Sequence, residues 1–126
     1  MSKVFRAIPF VLILITMVYL SHIPGGPRVI RFQHADKVGH FGLFFLMTAS
    51  IIYWFRAFSN AKRHKFFYAY TFLLVAVIGL LDEYHQSYVP NRDVSFLDWL
   101  ADCLGGLCFL IISKMYLKRS NKSKSI

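Results

Sequence analysis

Residues Val38–Phe58, VGHFGLFFLMTASIIYWFRAF, decide what class of protein this is. The stretch holds 21 residues and reaches its first basic side chain other than histidine only at Arg56. As a helix it would extend about 31 Å, matching the ~30 Å hydrocarbon core of a bilayer. Three further apolar runs flank it: Ala7–Ile23, Phe66–Leu81 and Phe96–Leu117. The fourth is long enough to span as it stands. The third has 16 residues and covers only about 24 Å. Its helix is therefore expected to run on through Asp82 and Glu83, unless the bilayer thins there. The first follows Lys3 and Arg6 as a signal peptide would, but no small-x-small cleavage site comes after it, and it is read as an uncleaved span. The expected fold is an all-α membrane protein, a bundle of four transmembrane helices. Its spans are expected near 7–23, 38–58, 66–85 and 96–117, making one transmembrane domain over residues 1–117.

Composition supports this class. In 126 residues, 56% are hydrophobic, more apolar surface than a small soluble domain can hide. The net charge of +9 would suit a nucleic-acid partner if it formed a basic face. Instead the basic residues sit in short flanks between apolar runs, as topology determinants do, so nucleic acid is excluded as a partner. Cys103 and Cys108 share the last run, separated by about 140° and about 7.5 Å on a helix, too far for a disulfide between them.

The same basic residues set the orientation. With the N-terminus inside, eleven fall on the cytoplasmic side: Lys3, Arg6, Arg56, Lys62, Arg63, Lys65, Lys114, Lys118, Arg119, Lys122 and Lys124. Four fall outside: Arg28, Arg31, Lys37 and Arg92. Both termini are therefore expected in the cytoplasm. Tyr53 and Trp54 at one interface, with Tyr84, Tyr88 and Trp99 at the other, fit aromatic belts. Residues 118–126 are expected to form a basic, unstructured cytoplasmic tail against anionic lipid. His64, within Lys62–Lys65, reads as part of a solvated basic turn.

A second asymmetry is not required by topology. All six acidic residues, Asp36, Asp82, Glu83, Asp93, Asp98 and Asp102, fall on the outer half, with His22, His34, His40 and His85. Acidic residues contribute little to orientation, so some other demand collects them. Asp36 and His40 are four apart and share a helix face; Asp82, His85 and Gln86 share another; Asp98 and Asp102 share a third, with Gly105 offering close approach to a neighbouring helix. Asp102 lies about 9 Å inside its run. A carboxylate at that depth must face the bundle interior and find a partner among Lys37, His40, His85 and Arg92. Such groups can lock a bundle through interhelical contacts. Three carboxylate-bearing helix ends with two histidines exceed what a lock needs, and a site is expected there. Asp, Glu and His are adequate ligands for Zn²⁺, Mn²⁺ or Ca²⁺, but no spacing signature specifies a metal, and the cofactor stays unassigned.

The same residues carry a family resemblance. Asp36-Lys37-Val38-Gly39-His40-Phe41, Asp82-Glu83-Tyr84-His85-Gln86 through Arg92-Asp93, and Asp98-Trp99-Leu100-Ala101-Asp102-Cys103-Leu104-Gly105 resemble, in order, three motifs of the VanZ-like family. Asp102 stands where Asn is frequent. The founding member is associated with resistance to teicoplanin, a lipid-bearing glycopeptide acting at the outer membrane face. The resemblance thus implies a bacterial cytoplasmic-membrane protein acting on the cell envelope, with membrane lipids, and a lipid-linked or glycopeptide ligand, as partners. Two readings stay open. One is a non-enzymatic protein that lowers sensitivity to lipophilic glycopeptides. The other is an intramembrane enzyme acting on a lipid headgroup or lipid-linked cell-wall intermediate. In the second, Asp98 or Asp102 would be base or metal ligand and His40 or His85 would shuttle protons. Lys37 and Arg92 would hold a phosphate, with Asp36, Asp82, Glu83 and Gln86 completing the substrate site. An ion-coupled transporter is disfavoured, because the inner half has no carboxylate to complete a path.

Overall fold

The computed structural model describes residues 3–27, 34–56, 58 and 66–123, with side chains in the last helix to Tyr116. A 3-10 turn, Phe5–Ala7, leads into α1, Ile8–Ser21; then come α2, Ala35–Phe55, α3, Phe67–Gln86, and α4, Phe96–Ser123. Pro9 sits in the first turn of α1, where a missing N–H costs nothing. The helix stops before Pro24-Gly25-Gly26, whose glycines take φ of +68° and +77°.

Three segments, Ala35–Phe55, Phe67–Gln86 and Phe96–Tyr116, are long and apolar enough to cross a membrane; Phe5–Ser21 is a shorter apolar helix. The third span does continue through Asp82 and Glu83, as its short apolar run required. The C-terminal segment corrects expectation: α4 runs on to Ser123 instead of ending at an unstructured tail. No Gly or Pro follows Gly106, and lysine and arginine are good helix formers favoured at a helix C-terminus. Residues 124–126, and the Ser59–Lys65 turn with His64, lie outside the described residues.

Helix directions follow from the contacts. Lys37 meets Asp98, His40 meets Asp102, and Phe45 packs edge-on to Phe109. Both numbers rise together, so α2 and α4 run parallel. Trp99 Nε1 donates to the Ala76 carbonyl at 3.0 Å while the Ser95 N–H donates to Glu83, so α3 is antiparallel to α4. Phe10 stacks on Trp54 at the opposite end from Ser21 and Asp82, setting α1 antiparallel to α2.

The interior is divided. Met17, Phe44, Met47, Ile51 and Val75 form the apolar core. Thr48, Ser50 and Thr71, buried nearby, return their hydroxyls to carbonyls of the preceding turn, which satisfies them within their own helices. Outward, Leu12, Ile15, Leu73, Leu81, Ile111 and Ile112 are each at least half exposed. Such a continuous apolar exterior over a partly polar interior is what lipid as solvent permits.

Candidate functional site

α2 and α4 begin side by side, so the positive ends of two helix dipoles meet at one end of the bundle. Each carries a carboxylate in its first turn, Asp36 and Asp98. Lys37 lies between them, its Nζ 2.9 Å from Asp36 Oδ2 and 2.9 Å from Asp98 Oδ1. One turn deeper the parallel register repeats, and His40 Nδ1 stands 2.9 Å from Asp102 Oδ1. Asp102 is completely buried. An ionised Asp102 accepts from Nδ1–H, the tautomer that leaves Nε2 as the imidazole's free nitrogen. Asp102 Oδ2 has no hydrogen-bond partner; it lies against Gly79, where an added Cβ would come within 2.9 Å of it.

α3 brings its C-terminal turn to the same place. Asp82 Oδ1 accepts the Ser21 hydroxyl at 2.5 Å, and Oδ2 accepts the Gln86 amide at 2.8 Å. Glu83, one residue on and turned toward α4, accepts the Ser95 N–H through Oε2 at 3.0 Å. Its Oε1 is buried without a partner. Arg92 reaches across to the end of α1, donating through Nη2 to the Leu20 carbonyl at 3.0 Å, with a longer contact from Nε to the Ser21 carbonyl. It thereby adds a side-chain donor to the carbonyls at the end of α1.

Between α1, α2 and the loop after α3 lies a cavity of about 590 Å³. Ser21, Asp36, His40, Asp82, Gln86, Arg92, Asp93 and Asp98 supply its polar lining, and Met17, Leu20, Leu43 and Leu46 its apolar wall. Gly39 belongs to the lining too, and a Cβ there would meet nothing within 4 Å. The turn at Gly25–Gly26 covers Arg92: a Cβ on Gly26 would stand 2.9 Å from Arg92 Nη1.

Nine of the ten residues singled out in the sequence therefore gather here. Asp36, His40, Asp82, Gln86, Arg92 and Asp98 line the cavity, while Lys37, Glu83 and Asp102 lie in the polar cluster beside it. His85 does not join them. It meets the residue that follows α1, its Nε2 3.4 Å from His22 Nδ1 at an exposed contact, three residues nearer the end of α3 than Asp82, which bonds Ser21 on the same side. Arg92 is not the partner of Asp98 or Asp102; Lys37 and His40 are. Lys37 is engaged by two carboxylates, and Arg92 by two carbonyls through Nε and Nη2. Sequence reasoning missed Ser21, Gly79 and the bridging role of Trp99. Ser21 ends an apolar run and Gly79 precedes Asp82 by three, positions that mark them only once a neighbouring helix is known.

Residues 2–117 match the family described as VanZ/LLP1. An uncharacterized protein of the fission yeast Schizosaccharomyces pombe is 33% identical over 111 residues, covering 87% of this chain and 63% of that protein. The chain thus spans less than two thirds of the length of this relative. No solved structure matches it.

Proposed function

The chain belongs to the VanZ/LLP1 family, and on that premise we propose that it is a multi-pass membrane protein whose acidic end binds the headgroup of a membrane lipid or lipid-linked envelope intermediate. The cavity carries this reading: about 590 Å³ of space with a polar lining and an apolar wall, set in a bundle with an apolar exterior. Such a space suits a headgroup attached to acyl chains. Asp36, Asp82, Asp93 and Asp98 on its lining outnumber Arg92, which favours a headgroup bearing an amine. The distribution of basic residues supports an outward orientation for this end, with both termini cytoplasmic. In a bacterial cytoplasmic membrane, sequestering such a headgroup would lower sensitivity to lipophilic glycopeptides. The fission-yeast relative favours a ligand common to both kinds of cell, hence a lipid over a cell-wall precursor.

The His40–Asp102 pair favours a second reading, an enzyme acting on that headgroup. A buried carboxylate fixes the imidazole tautomer and turns Nε2 into a candidate general base. Comparative lipidomics of cells with the wild-type protein, without it, and with Asp98→Asn tests both. An amine lipid that co-purifies with the wild type and is lost with Asp98→Asn supports binding. A new or depleted lipid species dependent on His40 supports the enzyme. Identical lipid profiles, with no co-purifying lipid in any arm, would sink both.

A further inference from the structure

Four carboxylates in this half of the bundle, Asp82, Glu83, Asp98 and Asp102, are each at least 95% buried. Among the described residues, the cation in contact with them is Lys37, which already bridges Asp98 and Asp36. Arg92 faces backbone carbonyls. In a membrane interior such an excess of negative charge is costly and must be met by protons or by a further cation.

The geometry points to the further cation. We propose that His40, Glu83 and Asp98, contributed by α2, α3 and α4, bind a first-row divalent cation of the Zn²⁺ or Mn²⁺ kind. A ring nitrogen of His40 and carboxylate oxygens of Glu83 and Asp98 lie within 4.8 Å of one another. Ligands of such an ion sit about 2.0–2.2 Å from it, so the three side chains need to close by on the order of 1 Å. Three features beyond proximity fit the site. Glu83 is 5% exposed and keeps Oε1 without a partner while the Ser95 N–H holds Oε2, so one oxygen is anchored and the other is available. His40 gives its Nδ1 to a buried carboxylate, the arrangement that aligns a metal-binding imidazole and raises its basicity. Asp98 uses Oδ1 for Lys37, leaving Oδ2 for a ligand role. One imidazole and two carboxylates form a mixed nitrogen–oxygen set that suits zinc or manganese better than a soft-metal site, and three protein ligands leave at least one coordination position open. The inference does not depend on which headgroup the cavity takes, and it assigns His40 Nε2 to the ion in place of the general-base role.

The test uses the full chain in detergent, stripped with EDTA and titrated separately with Zn²⁺ and Mn²⁺, metal content being read by mass spectrometry after dialysis. One ion per chain is expected, with a raised melting temperature. Glu83→Gln keeps an oxygen for the Ser95 N–H and should weaken binding at least about tenfold, while melting as the metal-free wild type does. Should that variant fail to fold, Asp102→Asn still offers His40 an acceptor, and should weaken binding by about 10–100-fold. His85→Asn should bind as the wild type does. Two results would overturn the proposal: wild-type metal content no higher than that of a Glu83→Gln, Asp98→Asn double variant, or binding that survives Glu83→Gln and vanishes with His85→Asn. The second result would move the ion to the exposed His22–His85 pair.

Discussion

Gly105→Ala would test the joint that assembles the polar cluster. A Cβ on Gly105 would collide with the Phe41 carbonyl oxygen and stand 3.0 Å from that carbonyl's carbon and 3.1 Å from the Phe45 nitrogen. All three atoms are backbone of α2, so no side-chain rotation relieves the contact. Ordinary carbon contacts need about 3.5 Å, so α2 and α4 must part by at least about half an ångström, and by more to clear the oxygen. His40 precedes Phe41 by one residue and Asp102 precedes Gly105 by three. The same movement therefore stretches the 2.9 Å His40–Asp102 bond past the range of an effective hydrogen bond. Overpacking alone costs about 1–3 kcal/mol, and an unpaired buried carboxylate adds to it, with about 3–5 kcal/mol as the bound for a fully broken buried pair. The expected result is a loss of at least about 2 kcal/mol in detergent unfolding, with function lost in parallel. Gly39→Ala is the control, since its Cβ would meet nothing within 4 Å. If Gly105→Ala melts like Gly39→Ala, the close approach of α2 and α4 is not what holds the cluster.

Three other outcomes follow from the same geometry. Asp98→Asn should abolish function while costing less than about 2 kcal/mol, the scale of one charged hydrogen bond, because Lys37 keeps Asp36 at 2.9 Å; equal losses of stability and function would make Asp98 a structural partner only. Gly39→Leu should fill the cavity wall and block headgroup binding at unchanged thermal stability, and continued lipid co-purification would remove the cavity from the function. Reporter fusions after Ser59 and Ser120 should read as cytoplasmic and one after Pro27 as exported; an exported signal at Ser120 would reverse the orientation.

The sequence carried the helices and much of the site because two simple periodicities governed both. Apolar runs marked the four helices, three of them long enough to cross a membrane, and four-residue spacing put Asp36 with His40 and Asp98 with Asp102 on common faces. Spacing within a helix says nothing about which neighbour it meets. Lys37, His40, His85 and Arg92 were all eligible partners for Asp102, and only the parallel register of α2 and α4 selects His40 for it and Lys37 for Asp98. His85 does share the face of Asp82, since the two meet His22 and Ser21 at the end of α1, but it sits nearer the helix end, at an exposed contact. Trp99 read as an interfacial aromatic, whereas its indole N–H ties α4 to the Ala76 carbonyl of α3. A tryptophan at a span end fits both roles, and hydropathy does not separate them.

A cluster that existed only to lock the helices would be expected to end with its polar atoms paired, since an unpaired buried group costs more than an apolar one of the same shape. Here the pairing is complete at the periphery and incomplete at the centre. Asp82 has Ser21 and Gln86, Arg92 has carbonyls, and Lys37 has two carboxylates. Glu83 Oε1 and Asp102 Oδ2 have no partner, and the Asp102 contact leaves His40 Nε2 unused on its ring. The glycine at position 79 even removes the side chain that would pack against Asp102 Oδ2. Meanwhile the apolar core of Met17, Phe44, Met47, Ile51 and Val75 already holds the helices together in the other half. Stability alone would have extended that core. Partly satisfied acceptors beside a polar-lined cavity are what a binding site needs, and they support the proposed reading over a structural lock.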